Sequence, residues 1–193
     1  KFLNTGPGHP VRPNRINQIA LNTCFPKWIN GRAKFTTHCE APTFGHPLVV
    51  ASFMGRPEVV TLLLAKEGVD VNQAMKDGST PLYIASEKGH TELVSLLLAK
   101  EGVDVNQEQK DGGTPLYIAS QNGHTEMVTM LLAKEGVDVN QAEKNGATPL
   151  CIASHKGHTE VVSLLLAKEG VDVNQAEKDG ATPLFIASRN GHT

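Results

Sequence analysis

Leu93, Leu96 and Leu97 stand three and four residues apart, with Val94 and Leu98 beside them. That spacing gives a helix one broad apolar face. Upstream, Leu82, Ala85 and Ser86 suit a shorter helix whose small side chains let a neighbouring backbone come close. Thr80 and Pro81 mark its start, because Thr caps orphan N–H groups and Pro lacks one where none is needed. Asp77-Gly78 before them is a turn signal, and Gly89 is the expected stop. Thr91 and Glu92 open the second helix, where negative charge complements the helix dipole. Gly102 is its expected left-handed end. Val103-Asp104-Val105-Asn106 then alternates apolar and polar as a short extended arm. The predicted unit is helix, turn, helix, extended loop.

This unit recurs. Thr-Pro-Leu begins at Thr80, Thr114, Thr148 and Thr182, a constant spacing of 34, and His46-Pro47-Leu48 marks a degenerate earlier copy. Residues 75–108 and 109–142 are identical at 26 of their 34 positions. A period of this length means stacked supersecondary units that bury one another's apolar faces. Leu131, in an interior copy, is an expected core residue.

The pattern resembles the ankyrin repeat family. It runs from a Gly-x-Thr-Pro-Leu turn and first helix, through Gly-His, to a Val/Leu-rich second helix and a closing Gly-x-Asp-Val-Asn. It is met at Gly78 to Asn106, Gly112 to Asn140 and Gly146 to Asn174. The resemblance covers about residues 45–193. It implies an all-α solenoid of stacked helix-turn-helix repeats joined by short β-hairpin-like loops, with copies at 45–74, 75–108, 109–142, 143–176 and 177–193. Two departures stand out. The usual period is 33, and the extra residue here lies in Ala99 to Gly102, read as a one-residue lengthening of the second helix. The family's His after Thr-Pro-Leu is replaced by Tyr83, Tyr117, Cys151 and Phe185.

The last copy stops after its first helix, so an apolar surface is expected there, and a longer parent chain is the simplest expectation. Residue 1 is Lys, which points the same way. Residues 1–44 carry no repeat, five prolines and a net charge of +5, against −7 for the remainder. This leader is expected to be mostly irregular, with a turn or two of helix around Ile16, Ile19 and Ala20. The whole-chain charge of −2 is too even for bulk electrostatic binding of nucleic acid. No apolar run approaches the roughly 20 residues of a membrane span. Three cysteines (Cys24, Cys39, Cys151) are too few for a disulfide scaffold and favour an intracellular, cytoplasmic setting.

Candidate chemistry is sparse. His90, His124, His158 and His192 recur, but equivalent residues of stacked helices lie roughly 8–10 Å apart, too far to share one zinc. They read as turn-packing residues. Ser86, His90 and Asp104 recur in every copy, whereas a nucleophile set needs one converging geometry. No metal, cofactor or catalytic site is expected, and the chain reads as a non-enzyme. The Lys-Glu pairs (Lys66-Glu67, Lys100-Glu101, Lys134-Glu135, Lys168-Glu169) read as solvated helix ends. Asn72, Asn106, Asn140 and Asn174 read as side chains bonded to their own local backbone.

The copies disagree at the turn (Ser79, Gly113, Ala147, Ala181) and at the end of the first helix (Glu87-Lys88, Gln121-Asn122, His155-Lys156, Arg189-Asn190). The resemblance implies that hairpin tips and the inner helix face contact a partner protein. Here that surface comprises Lys76, Asp77 and Ser79, then Lys110 and Asp111, then Lys144 and Asn145, with Glu87, Lys88, Gln121, Asn122, His155 and Lys156 at the helix ends. Phe53 and Met54 hold the helix-end places in the first copy, either as partner anchors or as residues the leader covers. The expected role is a monomeric protein-interaction scaffold. A targeting segment of a larger enzyme or channel, or an architectural spacer, is the alternative.

Overall fold

The structure is a computed structural model that describes residues 46–192. The leader's expected helix, together with Cys24 and Cys39, lies outside those residues. In chain order the helices are α1 (Pro47–Phe53), α2 (Pro57–Leu64), α3 (Pro81–Lys88), α4 (Thr91–Leu98), α5 (Pro115–Gln121), α6 (Thr125–Ala133), α7 (Pro149–Lys156), α8 (Thr159–Leu166) and α9 (Pro183–Arg189). No strand occurs among the described residues. The odd-numbered helices stack on one another as one layer, and α2, α4, α6 and α8 stack as a second. The expected helical solenoid is therefore what the chain forms.

Local signals set each helix. Thr80 Oγ1 accepts from Tyr83 N at 3.0 Å, and Thr114, Thr148 and Thr182 do the same for Tyr117, Cys151 and Phe185. Each cap satisfies an N–H that the helix itself leaves orphaned. The degenerate first copy has His46 in that place and no side-chain cap. Between the layers, Leu82, Leu116 and Leu150 are fully buried, as are Val94, Val128, Leu97 and Leu131. Ala85, Ala119 and Ala153 are fully buried too, which is the close backbone approach that small residues permit.

The extra residue of the 34-residue period does not lengthen the second helix in α2, α4 or α8, while α6 runs one residue further, to Ala133. α4 ends at Leu98, and Ala99 to Gly102 form a turn in which Lys100 N donates to Leu97 O at 3.1 Å. The turn aims the lysine back across the stack. Lys100 Nζ donates to Leu64 O at 2.9 Å, Lys134 Nζ to Leu98 O at 2.7 Å and Lys168 Nζ to Leu132 O at 2.8 Å. These lysines are part-buried clamps on the C-terminal carbonyls of the preceding second helix, not solvated ends. A cation there also meets the negative end of the helix dipole.

The asparagines likewise act between copies. Asn72 Nδ2 donates to Gly102 O at 2.7 Å while its Oδ1 accepts from Asp104 N at 2.8 Å. Asn106 and Asn140 repeat both bonds one copy on. The local bond belongs to the aspartates instead: Asp70, Asp104 and Asp138 accept from the N–H two residues ahead. The histidines do pack the turns. His158 Nε2 lies 3.1 Å from Gln121 O, and its ring sits over Gly123, where an added Cβ would come within 2.8 Å of it. Gly123 also has φ +71°, so both the backbone and the neighbour require glycine.

Candidate functional site

Each loop between copies is a hairpin-like finger closed by backbone bonds. Met75 N donates to Ser79 O at 2.9 Å, and Gln109 N, Glu143 N and Glu177 N make the equivalent bond. Fingers are also joined tip to tip: Lys110 N donates to Asp77 O, Lys144 N to Asp111 O and Lys178 N to Asn145 O, at 2.8–2.9 Å. The result is a row of fingers in fixed register beside a row of first-helix ends.

The expected contact residues fall on these two rows, with one exception. Lys76, Asp77, Lys110, Asp111, Lys144 and Asn145 are exposed at finger tips. Lys88, Asn122, His155 and Lys156 are exposed at helix ends, and Glu87 and Gln121 are half-buried there. Ser79 is not a surface residue. It is 6% exposed, as are its equivalents Ala147 at 6% and Ala181 at 5%. This position varies among small residues because it is packed, and a large side chain has no room. Asn122 also has a structural duty, since its Nδ2 donates to Glu87 O at 3.0 Å. Phe53 and Met54 are 38% and 39% exposed, and Lys88 Nζ lies 5.0 Å from the centre of the Phe53 ring.

Between the rows lies a floor of residues outside that expected contact surface. Tyr83 is buried, and its hydroxyl accepts from Gln109 Nε2 at the base of the next finger, at 2.8 Å. Tyr117 is half-buried, Cys151 is buried and bonds Gln175 O through Sγ at 3.6 Å, and Phe185 is exposed with Arg189 5.6 Å from its ring centre. Burial first, and then Glu143 and Glu177, push the Tyr117 hydroxyl up to about 12. Burial also raises the Glu177 carboxyl, helped by Asp179 and Glu143 and opposed by His155 and Arg189. Glu143 and Glu177 thus belong with the floor as functional candidates. A signal for them lies in the sequence: the first finger position reads Met75, Gln109, Glu143, Glu177, so it changes in polarity and charge from copy to copy.

Among the described residues no group of three or more His, Cys, Asp or Glu side chains is placed to hold a metal. No helix of the described residues is long and apolar enough to cross a membrane. What the geometry defines is a stacked-repeat protein with an ordered outer row of variable side chains. The family model described as ankyrin repeats (3 copies) matches residues 48–143 and again 132–193. The chain belongs to the ankyrin repeat family. Repeats of this family are generally protein–protein interaction modules and typically non-catalytic. No curated protein matches the chain.

Proposed function

We propose that this chain is a non-enzymatic, monomeric scaffold that binds another protein through the groove between its fingers and first-helix ends. One observation carries the reading: most side chains that differ from copy to copy are held on a frame whose main bonding residues recur in successive copies. Thr, Gly, His, Asn and Lys recur in bonds to backbone groups, so the frame is rigid and its variable rows are pre-formed. A pre-formed surface loses little conformational entropy on association, and a few side chains then suffice to select a partner. The groove's mixed charges, with Lys144 beside Glu143 and Lys178 beside Glu177, fit a protein surface better than a phosphate backbone. No cofactor is needed for this role, and the buried free thiol of Cys151 accords with an intracellular setting.

The test is a variant of the full chain with Gln121, His155 and Lys156 all changed to Ala, leaving Asn122 and its bond to Glu87 O in place. Proteins captured from the source cells by the unaltered chain and by the variant are compared, alongside the two denaturation midpoints. A near-native midpoint with loss of the main captured protein is expected. A saturable partner retained at unaltered affinity would overturn the groove assignment.

A further inference from the structure

Asn-Gly pairs occur in the described residues at Asn122-Gly123, Asn145-Gly146 and Asn190-Gly191. A glycine after asparagine leaves the following backbone nitrogen unshielded, because no Cβ stands beside it. The asparagine carboxamides differ in how they are held. Asn122 Nδ2 donates to Glu87 O at 3.0 Å and Asn190 Nδ2 to His155 O at 3.1 Å, each fixing the amide on the preceding copy. Asn145 is exposed at a finger tip, and its bonds are made by its backbone: its N donates to Glu143 Oε1 at 3.1 Å and its O accepts from Lys178 N at 2.9 Å. Among the described residues its carboxamide has no hydrogen-bond partner. The finger-tip residue in the other three full fingers is Asp77, Asp111 or Asp179.

We propose that Asn145-Gly146 is a site of self-modification by deamidation, which converts the third finger to the acidic form the other fingers already carry. The Gly146 nitrogen, after giving its proton to solvent base, attacks Asn145 Cγ. The new N–Cγ bond closes a succinimide as the Cγ–Nδ2 bond breaks and ammonia leaves with a proton. Water then opens the ring. Cleavage at Cγ gives aspartate, and cleavage at the main-chain carbonyl gives isoaspartate.

The Gly146 N–H donates to Glu143 O at 2.8 Å, so the step requires the finger tip to open. At Asn145 that is the one bond of the attacking nitrogen to release, since its carboxamide is held by none among the described residues. At Asn122 the Gly123 N–H bond to Ser120 O and the carboxamide bond to Glu87 O must both be released. The two products differ in consequence. An aspartate can accept from Ala147 N as Asp77 and Asp179 do from Ser79 N and Ala181 N, at 2.9 and 3.0 Å. Isoaspartate adds a methylene to the main chain at the residue that joins this finger to Lys178, and it loosens the row.

The full chain is incubated folded in mildly alkaline buffer and sampled over days. Trypsin cleavage after Lys110 and Lys144 puts Asn122 and Asn145 on separate peptides, and mass gain plus isoaspartate detection follow each. Asn145 is expected to convert several-fold faster than Asn122, with the gap closing in denaturant. A second chain carrying Asp111→Asn places the same pair on the second finger, and its new site is expected to convert within a few-fold of Asn145. Asn145 converting no faster than Asn122 in the folded chain would overturn the proposal, as would an inert asparagine at position 111.

Discussion

Leu150 and Leu184 share the same local sequence, Thr-Pro-Leu followed by one variable residue and Ile-Ala-Ser, and the same place in their helices. They differ in coverage: Leu150 is 2% exposed beneath the next copy, whereas Leu184 is 79% exposed. Changing each to Ala therefore isolates what stacking contributes, with helix propensity and capping held constant. Full burial of a Leu side chain is worth about 1.5–3 kcal/mol in transfer free energy. The cavity left behind raises the Leu→Ala cost to about 2–5 kcal/mol. Leu150→Ala is expected in that range, since Ala153 and Cys151 beside it are fully buried and leave little freedom to collapse. Leu184→Ala is expected within about 0.5 kcal/mol of the unaltered chain, as for other exposed positions. Urea denaturation followed by circular dichroism reads both midpoints. Repeat arrays can lose cooperativity, so the slopes are compared before free energies are taken. Equal midpoints for the two variants would refute the claim that each copy is stabilised by the next.

The lysine clamps and the tyrosine floor give two further tests. Lys134→Met keeps the aliphatic stem but removes the donor to Leu98 O, and about 1 kcal/mol should be lost, less than the roughly 1.5–3 kcal/mol of a buried charged donor because the group is only part-buried. Lys66→Met, which touches no described carbonyl, is the control; an equal loss there would show that the clamp contributes nothing. The Tyr117 hydroxyl titrates near 12 in the folded chain and near 10 when unfolded, so between those values the unfolded state binds fewer protons. Stability is thus intact below about pH 10 and falls as pH rises toward 12. Tyr83, also raised by burial, adds in the same direction. Tyrosinate absorbance in the folded chain should lag that in denaturant, and coincident titrations would contradict the buried floor.

Much of the fold was legible because each copy carries its own punctuation. Thr80 caps, Gly89 stops and the Leu-rich face of α4 packs, and all three are local facts with short-range causes. What the residues did not announce is long-range. Lys100 reaches a carbonyl 36 positions back, and Asn72 reaches one 30 positions ahead. Those bonds exist only once stacking register is fixed, and local spacing offers no view of it. Ser79 shows a different limit. Variation suggests exposure there, yet the allowed set Ser, Gly, Ala is a size limit, whereas the set Glu87, Gln121, His155, Arg189 differs in size and charge alike. Chemical breadth, more than variability, marks the accessible row.

That distinction bears on how such a frame can acquire a partner. The inter-copy bonds of Lys134, Asn106 and His158 all end on backbone groups, carbonyls throughout except for the Asp138 N–H that Asn106 Oδ1 accepts, and the backbone provides these whatever the side chain. A change at Gln121 or His155 leaves its own carbonyl in place, so the neighbouring histidines, His158 and His192, keep their partner. The surface can therefore be rewritten while the frame is untouched. Sites two or more copies apart share no bond and should act additively, whereas neighbouring fingers, joined tip to tip, can couple. Specificity can then be assembled one finger at a time, and the first place to look for it is where successive fingers differ most in chemistry, from Met75 and Phe53 at one end of the row to Glu177 and Arg189 at the other.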